Sequence, residues 1–257
     1  LVSLLTAVIG VLLAVFLLES RRLKVLPALC SLATAAVLLG VGLVVPLDVR
    51  AETGTLAIGA VQGNVDEPGL GSFANRGVVL QNHVDGTLAL LDEVEPGELD
   101  VVLWPENGSD LDPQTTPDVA VDIDEAASAV GAPILVGAQE FPESGGRYNV
   151  SLLWVPGEGV VDRYAKQHPA PFGEYIPMRS FVRIFSDQVD RVTTDMIAGD
   201  EVAVIDLPSE RLGRTVRLGN VICFEVAYEA LVRDAVNAGA ELLVVPTNNA
   251  SSGYSAA

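Results

Sequence analysis

The chain opens with two long stretches in which no charge interrupts the apolar residues: residues 1–18 (LVSLLTAVIGVLLAVFLL) and residues 25–47 (VLPALCSLATAAVLLGVGLVVPL). A helix needs ~20 apolar residues to cross the hydrocarbon core of a bilayer, so both read as transmembrane helices, the first narrowly. The turn between them, ESRRLK (19–24), is basic, whereas the far exit with Asp48, Arg50 and Glu52 carries no basic excess. The positive-inside rule then puts the turn in the cytoplasm and everything after residue 50 outside. A secretory signal has one short apolar stretch and a cleavage site, which two long stretches around a basic turn do not match. The sequence begins at Leu1 within a span and stops after NNASSGYSAA (248–257) with no closing element. It therefore reads as a fragment of a longer multi-pass protein: a helical hairpin over 1–50, then a C-terminally incomplete domain over 51–257.

In that domain the pattern changes to alternating strands and helices. Short apolar runs predict strands at Thr55–Val61, Val101–Trp104, Ile134–Val136, Val150–Val155, Val160–Tyr164, Val202–Leu207, Thr215–Cys223 and Leu242–Val245. Helical spacing predicts helices at Asn75–Glu93, with Val84, Leu88 and Leu91 on one face, and at Val119–Val130 and Tyr228–Ala238. Pro156-Gly157-Glu158-Gly159 reads as a turn joining two paired strands. Such alternation predicts an α/β fold, with helices layered over a mixed sheet.

Composition narrows the partners. A net charge of −19 excludes nucleic acid, whose binding needs basic patches that replace counterions. It also opposes electrostatic attraction to anionic lipid, so membrane contact by the domain should be hydrophobic. Cys30 lies mid-span and Cys223 in the domain, so they do not pair, and an unpaired extracytoplasmic cysteine calls for a chemical explanation. His83 and His168, without a cluster around them, offer no metal site, and no cofactor is expected.

Three residues with chemical potential stand at or near strand ends. Glu106 closes VVLWPE (101–106), an apolar run stopped by a proline; Lys166 opens the loop KQHPAPFGE (166–174); Cys223 lies in VICFE (221–225). Ligand sites of open α/β folds lie at the carboxyl ends of strands, so the three can converge. Each alone has an ordinary alternative: a solvated loop acid, a surface lysine, a small buried cysteine. Their occurrence together and in this order is what points to a site.

Trp104-Pro105-Glu106, KQHPAPFGEYIP (166–177) and Ile222-Cys223-Phe224-Glu225 resemble the motifs of the carbon–nitrogen hydrolase (nitrilase) superfamily. PFGEYIP (171–177) and the preceding spans are similar to its apolipoprotein N-acyltransferase branch. The resemblance covers 55–257 and, less specifically, 1–50. It implies an α-β-β-α sandwich preceded by transmembrane helices, on the extracytoplasmic side of a bacterial cell membrane. It implies that Glu106 is a general base, Lys166 an oxyanion-stabilising cation and Cys223 a nucleophile, with Glu174 and Glu225 as supporting acids. Phe224 departs from the tyrosine that many members carry. The implied reaction takes an acyl chain from a phospholipid onto the cysteine as a thioester. The acyl group then passes to the N-terminal amine of an S-diacylglyceryl-cysteine lipoprotein.

The stretch Phe172–Phe185 holds Ile176, Met178, Phe181, Val182, Ile184 and Phe185, with Arg179 and Arg183 as its bases. It reads either as a core-facing helix or as an interfacial arm that meets lipid. Two rival functions remain open at this level. A membrane-tethered amidase or nitrilase would use the same triad but release the acyl group to water. An inactive lipoprotein-binding scaffold would keep the fold and tolerate loss of Cys223.

Overall fold

A computed structural model of the chain describes residues 2–44, 54–64 and 77–249 and divides into two units, 1–53 and 54–257. In the first unit, α1 (Val2–Arg21) and α2 (Val25–Val44) form a helical hairpin. Ala28, Ser31 and Ala35, at spacings of three and four, are its buried residues. Small side chains on one stripe let two helices approach closely, which is how packing proceeds where water gives no hydrophobic drive. Leu4, Val11, Leu17, Leu26, Val37 and Leu39 instead face outward, an exterior suited to lipid. The turn between the helices folds back on itself, with Glu19 within ion-pair distance of Arg22 (3.3 Å) and Lys24 (3.7 Å). One helix, Ser3–Arg21, is long and apolar enough to cross a membrane, and Val25–Val41 is a shorter apolar helix. Residues 45–47 of the expected second span lie outside the described residues.

The second unit is an α-β-β-α sandwich. Its first sheet has the order β1-β2-β3-β4-β5. β1 (Ile58–Ala60), β2 (Val101–Leu103) and β3 (Ile134–Glu140) are parallel; β4 (Tyr148–Val155) and β5 (Gly159–Ala165) are antiparallel additions. The second sheet pairs β6 (Val204–Ser209) antiparallel to β7 (Arg214–Asn220), and β7 parallel to β8 (Leu242–Val244). Strand side chains alternate between faces, and both faces of the first sheet are apolar, as burial on two sides demands. Val102, Ile134, Val136, Leu152 and Trp154 pack under α3 (Val78–Ala89) and α4 (Pro117–Val130). Their neighbours Val101, Leu135 and Leu153 face Ile205, Leu207, Val216 and Leu218 of the second sheet, in a core that also takes in Leu231 and Ala235 of α6 (Glu229–Asn237). A polar tie crosses between the sheets: buried Asp100 accepts from Ala57 N (2.7 Å), Ser209 Oγ (2.6 Å) and Arg211 Nη2 (2.6 Å).

The sequence expectations need two corrections, and one open alternative is narrowed. The strand expected to run to Cys223 ends at Asn220, because the chain turns into a short 3₁₀ segment, Cys223–Ala227, whose first residue is left-handed. The first domain helix buries Leu80, His83, Val84 and Thr87; of the expected face, Val84 is buried and Leu91 packs against the core, but Leu88 is exposed. Two polar residues sit on that inner face because each has local partners: His83 Nδ1 faces Val79 O at 2.7 Å, and Thr87 Oγ1 donates to His83 O at 2.8 Å. Residues 75 and 76 of that expected helix lie outside the described residues. The Phe172–Phe185 stretch is not a core helix; it contains only the four-residue α5 (Arg179–Val182), and most of its large apolar side chains are exposed.

Gly137 of β3 shows how closely the fold seats the loop after β2. A Cβ there would lie 2.2 Å from Pro105 O and 3.0 Å from the Cα of Glu106. Overpacking of this kind costs ~1–3 kcal/mol. In the full chain in detergent, Gly137→Ala should lower the melting temperature by about 2–10 °C. An unchanged melting temperature would mean the loop is not held against β3.

Candidate active site

Each candidate residue follows a strand that has run out of ladder partners. After β2, Trp104 is anchored by its Nε1–H donating to Thr87 Oγ1 at 2.9 Å, and Pro105, lacking an N–H, ends the pairing. Glu106 then turns inward and is only 4 % exposed. After β5, Lys166 keeps a backbone bond to Asn149 O (2.8 Å) and buries its side chain to 1 % exposure. After β7, Cys223 N donates to Pro246 O at 2.9 Å, and φ of 54° places the residue in the left-handed region. A non-glycine residue held there costs ~1–3 kcal/mol, strain that surrounding structure must sustain.

The side chains meet. Lys166 Nζ donates to Glu174 Oε1 at 2.8 Å and to Glu106 Oε1 at 3.2 Å. Glu106 also accepts from Asn149 Nδ2 (2.6 Å) and from the backbone N–H of Asn248 (2.9 Å). Glu174 is fixed by Ala170 N at 2.6 Å and more loosely by Asn149 Nδ2 at 3.4 Å. The half-buried Cys223 thiol lies within the influence of both Glu106 and Lys166.

Glu225 serves a different purpose from the other acids. It is fully buried and accepts from Tyr164 OH (3.0 Å), Gln167 N (2.6 Å), His168 N (3.0 Å) and Ile222 N (2.8 Å). Those donors belong to β5, the loop after Lys166 and the residue before Cys223. One carboxylate therefore fastens the lysine loop to the cysteine turn. Phe224 is half exposed and meets Tyr228 edge-on at 5.9 Å, and Tyr228 stacks on His168 at 4.1 Å.

The charges set the protonation states. Burial pulls the Lys166 pKa down, but Glu106 and Glu174 outweigh it and hold the ammonium above the ordinary lysine value. For Cys223, burial and then the Glu106 carboxylate, by charge and as acceptor, push the thiol up. Lys166 and the Phe224 N–H oppose this without cancelling it. Burial and the Glu225 charge keep Tyr164 well above the usual phenol range, so its hydroxyl stays a donor. The cluster is thus a protonated thiol beside a carboxylate, with a permanent cation between two acids.

Residues 74–256 match the carbon–nitrogen hydrolase family. The chain belongs to that family. It is 38% identical over 232 residues to the apolipoprotein N-acyltransferase of Mycolicibacterium smegmatis, covering 85% of this chain and 38% of that protein. A namesake in Geobacter metallireducens is 32% identical over 164 residues, covering 63% of this chain and 30% of the relative. The chain thus spans well under half the length of these curated relatives. Among solved structures, an amidase from Nesterenkonia sp. superposes with a TM-score of 0.52 at 16% identity, over 79% of this chain and 67% of the amidase. At that identity the likeness concerns the fold.

Of the residues the sequence points to, Glu106, Lys166, Glu174 and Cys223 lie together, whereas Glu225 stands apart from them and ties the lysine loop to the cysteine turn. Asn149 and Tyr164 were missed. Asn149 had a legible signal: an amide with poor strand preference in the otherwise apolar run YNVSLLWV (148–155). Tyr164 had none, because a tyrosine in a strand is ordinary.

The thiol's position predicts a pH profile. In a Cys30→Ala background, alkylation of Cys223 by iodoacetamide should have a midpoint above the ~8.5 of a free thiol. Glu106→Gln should lower that midpoint, because it removes a negative charge that disfavours the thiolate and leaves Lys166 in place. Lys166→Gln should raise it. A wild-type midpoint at or below the free-thiol value would contradict the burial and charge balance.

Proposed function

We propose that this chain is the catalytic part of a membrane-anchored N-acyltransferase that works on the extracytoplasmic side of a bacterial cell membrane. The donor is a phospholipid, and the acceptor is the N-terminal amine of an S-diacylglyceryl-cysteine lipoprotein. The observation that carries this reading is the Lys166 ammonium held between Glu106 and Glu174 beside a half-buried thiol. The names of the relatives give the acyl-transfer class its support.

In the first half-reaction Cys223 Sγ attacks the donor ester carbonyl while Glu106 accepts the thiol proton. Lys166 faces the oxyanion, a contact of the kind worth ~3–4 kcal/mol in a transition state. The intermediate collapses to a thioester, and the departing lysophospholipid alkoxide takes the proton from Glu106. In the second half the acceptor amine attacks the thioester and gives its proton to Glu106, leaving an amide. The same proton then returns to the thiolate. Glu174 keeps Lys166 oriented, and Glu225 holds the turn that carries Cys223.

The exposed stretch around α5 favours a lipid donor over a water-soluble amide. Phe181 and Phe185 are 57% and 74% exposed and meet edge to face at 5.2 Å. Arg179 and Arg183 brace the segment by pairing with Asp195 and Asp190. Apolar rings presented to solvent beside a site suit an arm that dips into an interface.

Intact-mass analysis after exposure to phospholipid tests the nucleophile and the donor class together. An acyl adduct should form on wild type and on Cys30→Ala but not on Cys223→Ala. Adding a lipopeptide amine should convert the adduct into N-acyl peptide; release of free fatty acid instead would favour the amidase-type hydrolase. Undiminished complementation by Cys223→Ala would leave only a binding scaffold.

The arm has its own test. Burying one phenylalanine contributes ~1.5–3 kcal/mol, so Phe181→Ser with Phe185→Ser should weaken use of bilayer phospholipid by roughly tenfold or more. Activity on a short soluble ester and the melting temperature should stay nearly unchanged. Equal loss on both substrates with a lower melting temperature would assign the rings to packing instead.

A further inference from the structure

Arg147 lies two residues before Asn149, immediately ahead of β4, and is unlike the other arginines around it. Arg163, Arg179, Arg183, Arg211, Arg214, Arg217 and Arg233 each lie within ion-pair distance of a carboxylate. Among the described residues Arg147 has no ion pair. Its one side-chain bond runs from Nη1 to Gln139 Oε1 at 3.0 Å, and its Nε is buried without a partner. Buried donors are nearly always satisfied, so an orphan N–H on a cation needs an explanation.

The nearby acids do not supply one. Glu174 and Asp195 act on Arg147 by their charge, but burial outweighs them and draws the guanidinium below its usual pKa. Glu174 is already held by Lys166 and Ala170 N, and Asp195 by Arg179 and Ile176 N. The backbone around Arg147 is fixed on both sides, by Arg147 N donating to Asp195 O (3.2 Å) and Ile197 N donating to Arg147 O (2.7 Å). What remains is a positioned guanidinium that no carboxylate among the described residues pairs with.

Strand alternation gives that guanidinium its direction. Residues 147 and 149, two apart, lie on one face of the chain entering β4, and Gln139, which pairs in register with Asn149, bonds Arg147 diagonally across the same face. Asn149 on that face touches Glu106 and Glu174, so Arg147 stands ~6.6 Å farther along the site. Around it, Lys166, Arg147 and Arg179 balance Glu106, Glu174 and Asp195. In a chain of net charge −19 this neutral patch is a place where an anion is tolerated.

We propose that Arg147 binds the phosphodiester of the acyl donor, its guanidinium donating to the non-bridging oxygens while the neighbouring ester reaches Cys223. This rests on the acyl-transfer reading and adds a head-group subsite to it. A guanidinium fork matches two phosphate oxygens, whereas an ammonium meets them as a point charge. In a glycerophospholipid only a few bonds separate phosphorus from the ester carbonyl, in keeping with the two-residue spacing between Arg147 and Asn149.

The test compares dihexanoylphosphatidylglycerol with dihexanoylglycerol as donors to the full chain in detergent, since the two differ only in the phosphodiester head. Arg147→Gln should lower kcat/KM on the phospholipid roughly tenfold or more, mainly through KM, and leave dihexanoylglycerol within about twofold. Arg147→Lys should recover part of the loss. Equal loss on both donors, or none on either, overturns the subsite. A second measurement does not depend on turnover: glycerophosphoglycerol should slow iodoacetamide alkylation of Cys223 in wild type but not in Arg147→Gln. Inorganic phosphate at the same concentration should protect less; equal protection makes this a free-phosphate site and overturns the head-group assignment. If wild type takes acyl groups from neither donor, acyl transfer falls, and the protection experiment still decides Arg147. No protection of wild type overturns the proposal, and protection lost in Arg147→Gln upholds it.

Discussion

The burial of one ammonium organises the site. Lys166 is 1% exposed, and an unpaired charge so deep costs several kcal/mol in desolvation. Its folding is tolerable only if carboxylates arrive with it, and two do, from the loop after β2 and from the loop after β5 itself. Removing one partner of such a pair typically costs ~3–5 kcal/mol, because the other charge is left buried. The demand to neutralise Lys166 thus pins Glu106, whose loop also rests on Gly137 because no Cβ intervenes there. A stability requirement and the convergence of reactive groups are the same constraint.

A second buried charge secures the third side of the site. Glu225 gathers Tyr164, two backbone N–H groups of the lysine loop and the N–H of Ile222. With Ile222 fixed on one side and Pro246 O accepting from Cys223 N on the other, the cysteine is held in the left-handed conformation its own side chain disfavours. The strain lifts the thiol out of the strand's pleat and toward Glu106 and Lys166. Glu225 therefore acts on the direction of the Cys223 thiol through the backbone, by hydrogen bonds that leave its charge fully committed.

Much of this was legible because it is written in local chemistry. Apolar runs closed by Pro105 and Ala165-Lys166 mark strand ends, and the sandwich follows from runs too apolar to face water on either side. The α3 face was misread because His83 and Thr87 look polar in sequence, and only their bonds to Val79 O and His83 O reveal that they can be buried. The end of β7 was misplaced for a related reason: Val221 and Ile222 are core residues after the ladder has stopped, so hydrophobicity alone carried the strand too far. Whether Phe172–Phe185 faces inward or outward depends on what stands opposite it, which its own pattern does not encode. Arg147 took meaning only from its neighbours on β3 and in the Glu174 loop.

The thiol's protonation bears on how acyl transfer would be timed. Burial and Glu106 both hold Cys223 as the neutral thiol, so the resting site presents little thiolate. The proton can leave only when its departure is coupled to bond formation, because the oxyanion then developing faces Lys166 and repays the charge separation. Glu106 lies against both groups, so one carboxylate can take the proton from sulfur in the first half-reaction and from the amine in the second. In that scheme Glu106 passes the thiol proton to the departing alkoxide as the thioester forms, while Lys166 and Glu174 stay paired. The base is then ready for whichever nucleophile arrives. In the proposed reaction, selection between an amine and water would fall to access rather than to the triad. The exposed segment carrying Phe181 and Phe185 is apolar surface of the kind that would admit a lipid-borne amine, so in the proposed reaction the surroundings of the triad, more than the triad itself, would favour transfer over hydrolysis.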